Sequence, residues 1–146
     1  MPRAGFQKLY LDGLPETHLI AAFPHELGTM QRVYFPENSF RTDDGAPPFV
    51  IHIQDAHAHP EVQSKIRDIL NWLLKSAESS NPMPAIAVAL EGASGGIHPE
   101  YLEYFKEFPA SNGAAIDDLY QKGELTGAEL FAWDQYNRQK DEKNKS

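Results

Sequence analysis

The chain of 146 residues contains no cysteine. That excludes disulfides, thiolate nucleophiles, iron–sulfur clusters and cysteine zinc sites within it, and leaves only nitrogen and oxygen ligands for any metal. Positive charge is also scarce, with 13 Lys and Arg against 21 Asp and Glu, for a formal net charge of −8 and a pI near 5.1. A nucleic-acid backbone demands a clustered basic surface that displaces counterions, so no nucleic acid is expected as a partner. No run approaches the roughly 18–20 uninterrupted apolar residues of a membrane span. The start, Met1-Pro-Arg-Ala-Gly-Phe6, lacks the apolar run of a secretory signal. These absences together give the expectation of a cytoplasmic protein without a membrane span.

What is present suits one folded domain, since 41% of residues are hydrophobic and 23% charged, the balance of a globular protein rather than a disordered one. Residues 1–48 show no sustained period and read as an extended, proline-containing lead-in that ends in Asp43-Asp-Gly45 and Ala46-Pro-Pro48, a turn sequence. Phe49-Val-Ile-His-Ile53 is a β-branched run that predicts a buried strand. A helix is predicted over residues 60–77, where Val62, Ile66, Ile69, Leu70, Leu73 and Leu74 recur at helical spacing behind Pro60. Ala85-Ile-Ala-Val-Ala-Leu90 is continuously apolar and predicts a second strand covered on both faces, as in a parallel sheet. Residues 49–136 therefore read as an α/β domain: a βαβ unit with parallel strands, followed by short helices over 99–108 and 114–122. Gly123 caps the second of these, and a capping box, Thr126-Gly-Ala-Glu129, opens a further helix. The polar residues 137–146 read as a disordered tail. Two strands make a poor sheet. The expectation is accordingly the amino-terminal part of a larger α/β domain, unless the lead-in donates a strand around residues 31–35 or the chain associates with itself.

In open α/β sheets ligands gather beyond the carboxyl ends of the strands, which draws attention to two places. After the first strand, His52, Asp55, His57 and His59 lie within eight residues, and imidazole and carboxylate are the ligand types of zinc, manganese, iron or cobalt. His52 lies inside the strand and reads as a packed histidine, while Asp55 and His57 sit in the turn. His59, just before Pro60, either ligates or simply neighbours the helix start. After the second strand, Glu91 closes an apolar run. A carboxylate there is expected to be partly buried and so paired, protonated or bound to a cation, or else to cap the backbone donors of Gly92-Ala-Ser94. The loop Gly92-Ala-Ser-Gly-Gly96 lacks the lysine and spacing of a P-loop, and Ser94 has no nucleophile elbow around it. Tyr101, Tyr104, Phe105 and Phe108 fall at helical spacing and read as core or interface.

Gln54-Asp-Ala-His57, the helix from Pro60 and Val88-Ala-Leu-Glu91 resemble the opening of the erythromycin-esterase, ChaN and TraB/Tiki superfamily. Its members run from a strand ending in a Gly-x-x-His turn, through a helix, to a strand ending in glutamate. More narrowly, His52-Ile-Gln-Asp-Ala-His57, Glu91-Gly-Ala93 and Gly123-Glu-Leu-Thr-Gly-Ala-Glu129 look like a group of uncharacterised bacterial proteins. Gln54 stands where the superfamily pattern has glycine, and no histidine follows His98, whereas members carry more in a second half. The resemblance implies metal-dependent peptide-bond hydrolysis for one branch, ester hydrolysis for another and haem binding for the third. In the hydrolytic versions Glu91 would orient or deprotonate water and His57 would bind metal or relay protons. Taken with the residue reading, His57 and Glu91 are the expected catalytic pair, and Asp55, His57, His59 and Glu91 the expected ligands of a divalent metal ion. Two functions are therefore expected in competition. One is a hydrolase-like His/Glu site; the other is a non-catalytic remnant or a binding and interaction module, haem binding included, that needs a partner or its missing second half.

Overall fold

The computed structural model describes residues 15–34, 49–55, 59–80, 83–105 and 107–145. The chain divides into two units, Met1–His52 and Ile53–Ser146. In the first, α1 (Pro15–Ala22) begins on a proline, whose fixed φ and missing N–H suit the first helical position. Residues 31–34 and 49–52 carry no regular structure, and Tyr34 and Val50 are exposed.

Among its described residues the second unit has three helices and a 3-10 turn: α2 (Pro60–Glu78), the turn Pro99–Leu102, α3 (Pro109–Gln121) and α4 (Gly127–Lys145). The helix predicted over 60–77 forms as α2, and its periodic apolar stripe faces α4, with Gln63, Ile69, Leu70 and Ala77 buried. The residues that meet rise together in number, so α2 and α4 run parallel. The Gly127 N–H donates to Gln63 Oε1 at 2.7 Å, Arg67 reaches Asp134 through two hydrogen bonds of 2.6 Å, and Arg138 reaches Glu78 at 2.6 Å. Asn71 continues this seam by donating to Asp134 and accepting from Gln135. At its head the helices approach too closely for a side chain: a Cβ on Gly127 would sit 2.4 Å from the Gln63 carbonyl oxygen and 2.7 Å from Ile66 Cβ. A core of Ile116, Leu125 and Leu130, joined by Leu102, Leu119, Tyr120 and Trp133, fills the space between α3, α4 and the 3-10 turn.

The α/β expectation is overturned. Among the described residues there is no strand, hence no βαβ unit and no parallel sheet. Residues 49–53 and 83–90 carry no regular structure and join no ladder among the described residues, and Phe49, Val50, Ile51, Met83, Ile86 and Val88 are exposed. β-branched and apolar runs favour an extended backbone locally. A strand exists only when a second segment accepts its ladder hydrogen bonds, and neither segment finds one.

The local terminators behave as their chemistry dictates. Gly123 takes φ 71° and closes α3, with the Gly123 N–H donating to the Tyr120 carbonyl and that of Glu124 to Leu119. The capping box of α4 forms, with the Thr126 N–H and hydroxyl donating to Glu129 Oε2 and the Glu129 N–H returning to Thr126 Oγ1 at 3.2 Å. α4 then runs to Lys145 through residues that composition assigns to a tail. Pairs from Arg138 to Glu142 and Glu78 and from Lys140 to Glu103 hold its polar turns, and lysines in the last turn oppose the helix dipole.

Candidate functional site

Of the residues expected to form a hydrolytic or metal site, His57 lies outside the described residues. Asp55 is half-buried, and its Oδ2 accepts a 2.6 Å hydrogen bond from Gln63 Nε2. Because Gln63 is only 5% exposed and its other amide atom receives the Gly127 N–H, Asp55 belongs to a relay that ties the approach to α2 to the first residue of α4. His59 is the N-cap of α2: its carbonyl accepts the N–H groups of Val62 and Gln63, and its exposed side chain makes no capping bond. Glu91 is exposed in the turn after residues 83–90 and accepts no hydrogen bond among the described residues. With no sheet to bury it, the expected desolvation of this carboxylate does not arise. His52 is exposed as well. Among the described residues no three His, Asp or Glu side chains converge in a way that could hold a metal ion.

Side chains gather elsewhere, between the Gly-rich loop, the 3-10 turn and the start of α4. An open cleft of about 330 Å³ is lined by Leu90, the loop from Ala93 to His98, Leu102 and Leu125. Its edge carries His98, whose ring pairs with Glu100 at 3.0 Å and stacks on Tyr101 at 5.2 Å between centroids. Glu129 also borders the cleft, but its carboxylate is committed to the capping box.

From Tyr101, which also lines the cleft, the chain runs into an aromatic segment. The spacing of Tyr101, Tyr104, Phe105 and Phe108 predicts a helix over 99–108, yet the helical turn stops at Leu102. Asn112 is the reason. Only 3% exposed, it turns its amide back from α3 onto the Phe105 backbone, accepting the Phe105 N–H at 2.9 Å and donating to the Phe105 carbonyl at 2.9 Å. A side chain thus supplies both partners that a helix would have supplied, and the backbone is freed from helical geometry without leaving polar groups unsatisfied.

The segment is tied on its other side by Glu103, which accepts from Tyr136 at 2.7 Å and from Lys140 of α4. The Lys140 ammonium also stands 5.3 Å from the Tyr136 ring centroid, and Trp133 stacks on that ring. Hydrogen bonding to Glu103 raises the pKa of both Tyr136 and Lys140, so the phenol stays protonated and the amine charged. With Leu102 packed on the core and Glu103 on α4, the four aromatic rings are left outward, 70% exposed at Tyr101, 66% at Tyr104, 52% at Phe105 and 63% at Phe108.

Helical periodicity reads these aromatics as core or interface without choosing between the two, and passes over Asn112 and Glu103. The available signal was their alternation with acids in Glu100-Tyr-Leu-Glu-Tyr-Phe-Lys-Glu-Phe108, which leaves no clean apolar stripe for a core.

No protein-family model matches this chain, and neither a curated protein nor a solved structure matches it significantly. Among the described residues no helix is long and apolar enough to cross a membrane.

Proposed function

We propose that this chain is a polypeptide-binding module whose contact surface is the aromatic segment 101–108. The observation that carries this reading is the exposure of Tyr101, Tyr104, Phe105 and Phe108 on a backbone fixed by Asn112 and Glu103. Large rings left in water forgo roughly 25 cal/mol for each Å² of apolar surface not buried, and a concentration of them marks an interaction site rather than ordinary surface. Tyrosine and phenylalanine have few rotatable bonds, so ordering them on binding costs little entropy, and a backbone already fixed lowers that cost further. The hydrolase expectation has no comparable support. Glu91 is solvent-exposed and Asp55 is engaged with Gln63.

Selection from a displayed random-peptide library tests the reading, with the wild-type chain as bait and Tyr104→Ser/Phe108→Ser as the counter-screen. Peptides that bind the wild type at least about tenfold more tightly than an equally stable double variant are expected, since two aromatic anchors are worth several kcal/mol at an interface. Peptides that bind both alike, or no enrichment at all, would remove the aromatic segment as the contact surface.

A further inference from the structure

Resting on the polypeptide-binding reading, we infer that the aromatic segment takes a cationic partner: an extended polypeptide segment in which arginine or lysine alternates with apolar residues. Residues 97–118 contain five carboxylates, Glu100, Glu103, Glu107, Asp117 and Asp118, against one lysine; Glu100 pairs with His98, Glu103 with Lys140 and Asp118 with Lys122, so the attraction for a basic partner rests on Glu107, Asp117 and the net charge of −8. Acids and rings are interleaved in this stretch, so each exposed ring has a carboxylate within a few residues. A tyrosine face attracts a cation through its quadrupole, a neighbouring carboxylate adds a charge-assisted hydrogen bond, and the ring buries the apolar stem of the long basic side chain.

The fold already uses this pairing once. Lys140 of α4 is held by the Glu103 carboxylate while its ammonium lies 5.3 Å from the Tyr136 ring centroid. Tyr104 and Glu107 offer the same two groups to solvent, while Glu100 and Tyr101, also exposed, already hold a ring of this kind, His98 pairing with the first at 3.0 Å and stacking on the second. Net charge separates this partner from a second copy of the chain. Two chains of −8 each repel on approach, and the repulsion is strongest where the carboxylates are densest, whereas a basic segment is drawn in.

The inference is tested on the full chain by fluorescence anisotropy with three labelled twelve-residue peptides, alternating Arg–Leu, Ser–Leu and Glu–Leu, at low and at raised salt. The Arg–Leu peptide is expected to bind, and to lose about tenfold or more in affinity on going from 50 to 300 mM NaCl, as exposed charges are screened. It should lose a similar factor in Glu100→Gln/Glu107→Gln and in Tyr101→Ser/Tyr104→Ser, two variants whose altered side chains are exposed and whose melting curves should match the wild type. Binding that survives the tyrosine variant unchanged would be diffuse attraction to an acidic protein and would overturn the inference. Equal binding of the Ser–Leu or Glu–Leu peptide, lost with the tyrosines, would overturn the cationic partner and leave the polypeptide-binding reading standing. If none of the three peptides binds, the cationic inference falls, and the library selection separately decides the reading beneath it.

Discussion

Asn112 shows how much one amide can decide. Its two hydrogen bonds of 2.9 Å to the Phe105 backbone are made by a side chain that is 3% exposed, and a buried group that loses its partner costs about 1–3 kcal/mol. Asn112→Ala should therefore lower the stability to urea by about 1–3 kcal/mol at unchanged m-value. Amide exchange at Phe105 should accelerate by at least about tenfold, since a loss of 1.4 kcal/mol is already that factor. A variant that loses stability while Phe105 remains protected would show that the amide serves the core and not the segment. Asn112→Asp is informative beside it: the carboxylate can still accept the Phe105 N–H but has no donor for the Phe105 carbonyl, so it should not restore the wild-type exchange rate. None of this was legible in the sequence. An asparagine within a helical stretch has no apolar periodicity to mark it, and its partner lies seven residues away in a segment whose aromatic spacing points to a helix. Gly127 was silent for the same reason, because only the approach of Gln63 and Ile66 from α2 reveals that a Cβ would not fit.

Elements became legible in proportion to how local their causes are. The capping box at Thr126 and Glu129, the proline that starts α2 and the glycine that ends α3 act within four residues of themselves, and all three form. The two expected strands fail because their cause is not local. The apolar runs 49–53 and 85–90 favour an extended backbone by composition, but pairing depends on segments elsewhere, and composition cannot say whether those are at hand. Glu91 followed the same logic, its burial having been inferred from a sheet that is absent. The tail was misjudged for a related reason, since the polar turns of α4 are held by partners far away in sequence, Glu78 for Arg138 and Glu103 for Lys140. The Glu103 junction makes a prediction for the attachment of α4. Hydrogen bonding to Glu103 raises Tyr136 above its ordinary value of 10.0 and Lys140 above 10.5. For groups whose folded pKa is the higher, the contribution to stability is complete below the unfolded pKa and is lost as pH rises through the folded one. Melting temperature should therefore fall more steeply above about pH 10 in the wild type than in Glu103→Gln, with the two profiles running parallel between pH 7 and 9. Identical alkaline slopes would mean that the junction carries no linked protons.

The whole molecule balances charge against exposed apolar surface. At pH 7 its net charge of −8 opposes the approach of a second copy, which works against association through the aromatic segment and the exposed apolar residues of 83–90. Near the pI of about 5.1 that repulsion vanishes, and the exposed surface is left unopposed. The two apolar regions then differ in kind. The aromatic segment is interrupted by acids and tied to α3 and α4 through Asn112 and Glu103, so it cannot readily rearrange. Ala85-Ile-Ala-Val-Ala-Leu90 has six apolar residues with neither charge nor proline, and its backbone, in no ladder among the described residues, can add to an identical segment of another copy, the composition that favours cross-β stacking. Light scattering should therefore rise in the wild type as pH is lowered from 7 towards 5. Val88→Lys should suppress that rise, because a repeated lysine on stacked copies places like charges about 4.8 Å apart. Tyr104→Ser should leave the rise essentially unchanged. The reverse order of effects would make the aromatic segment the self-associating surface, and would remove the charge argument for a cationic partner, since two acidic copies would then be meeting at the place where their carboxylates are densest.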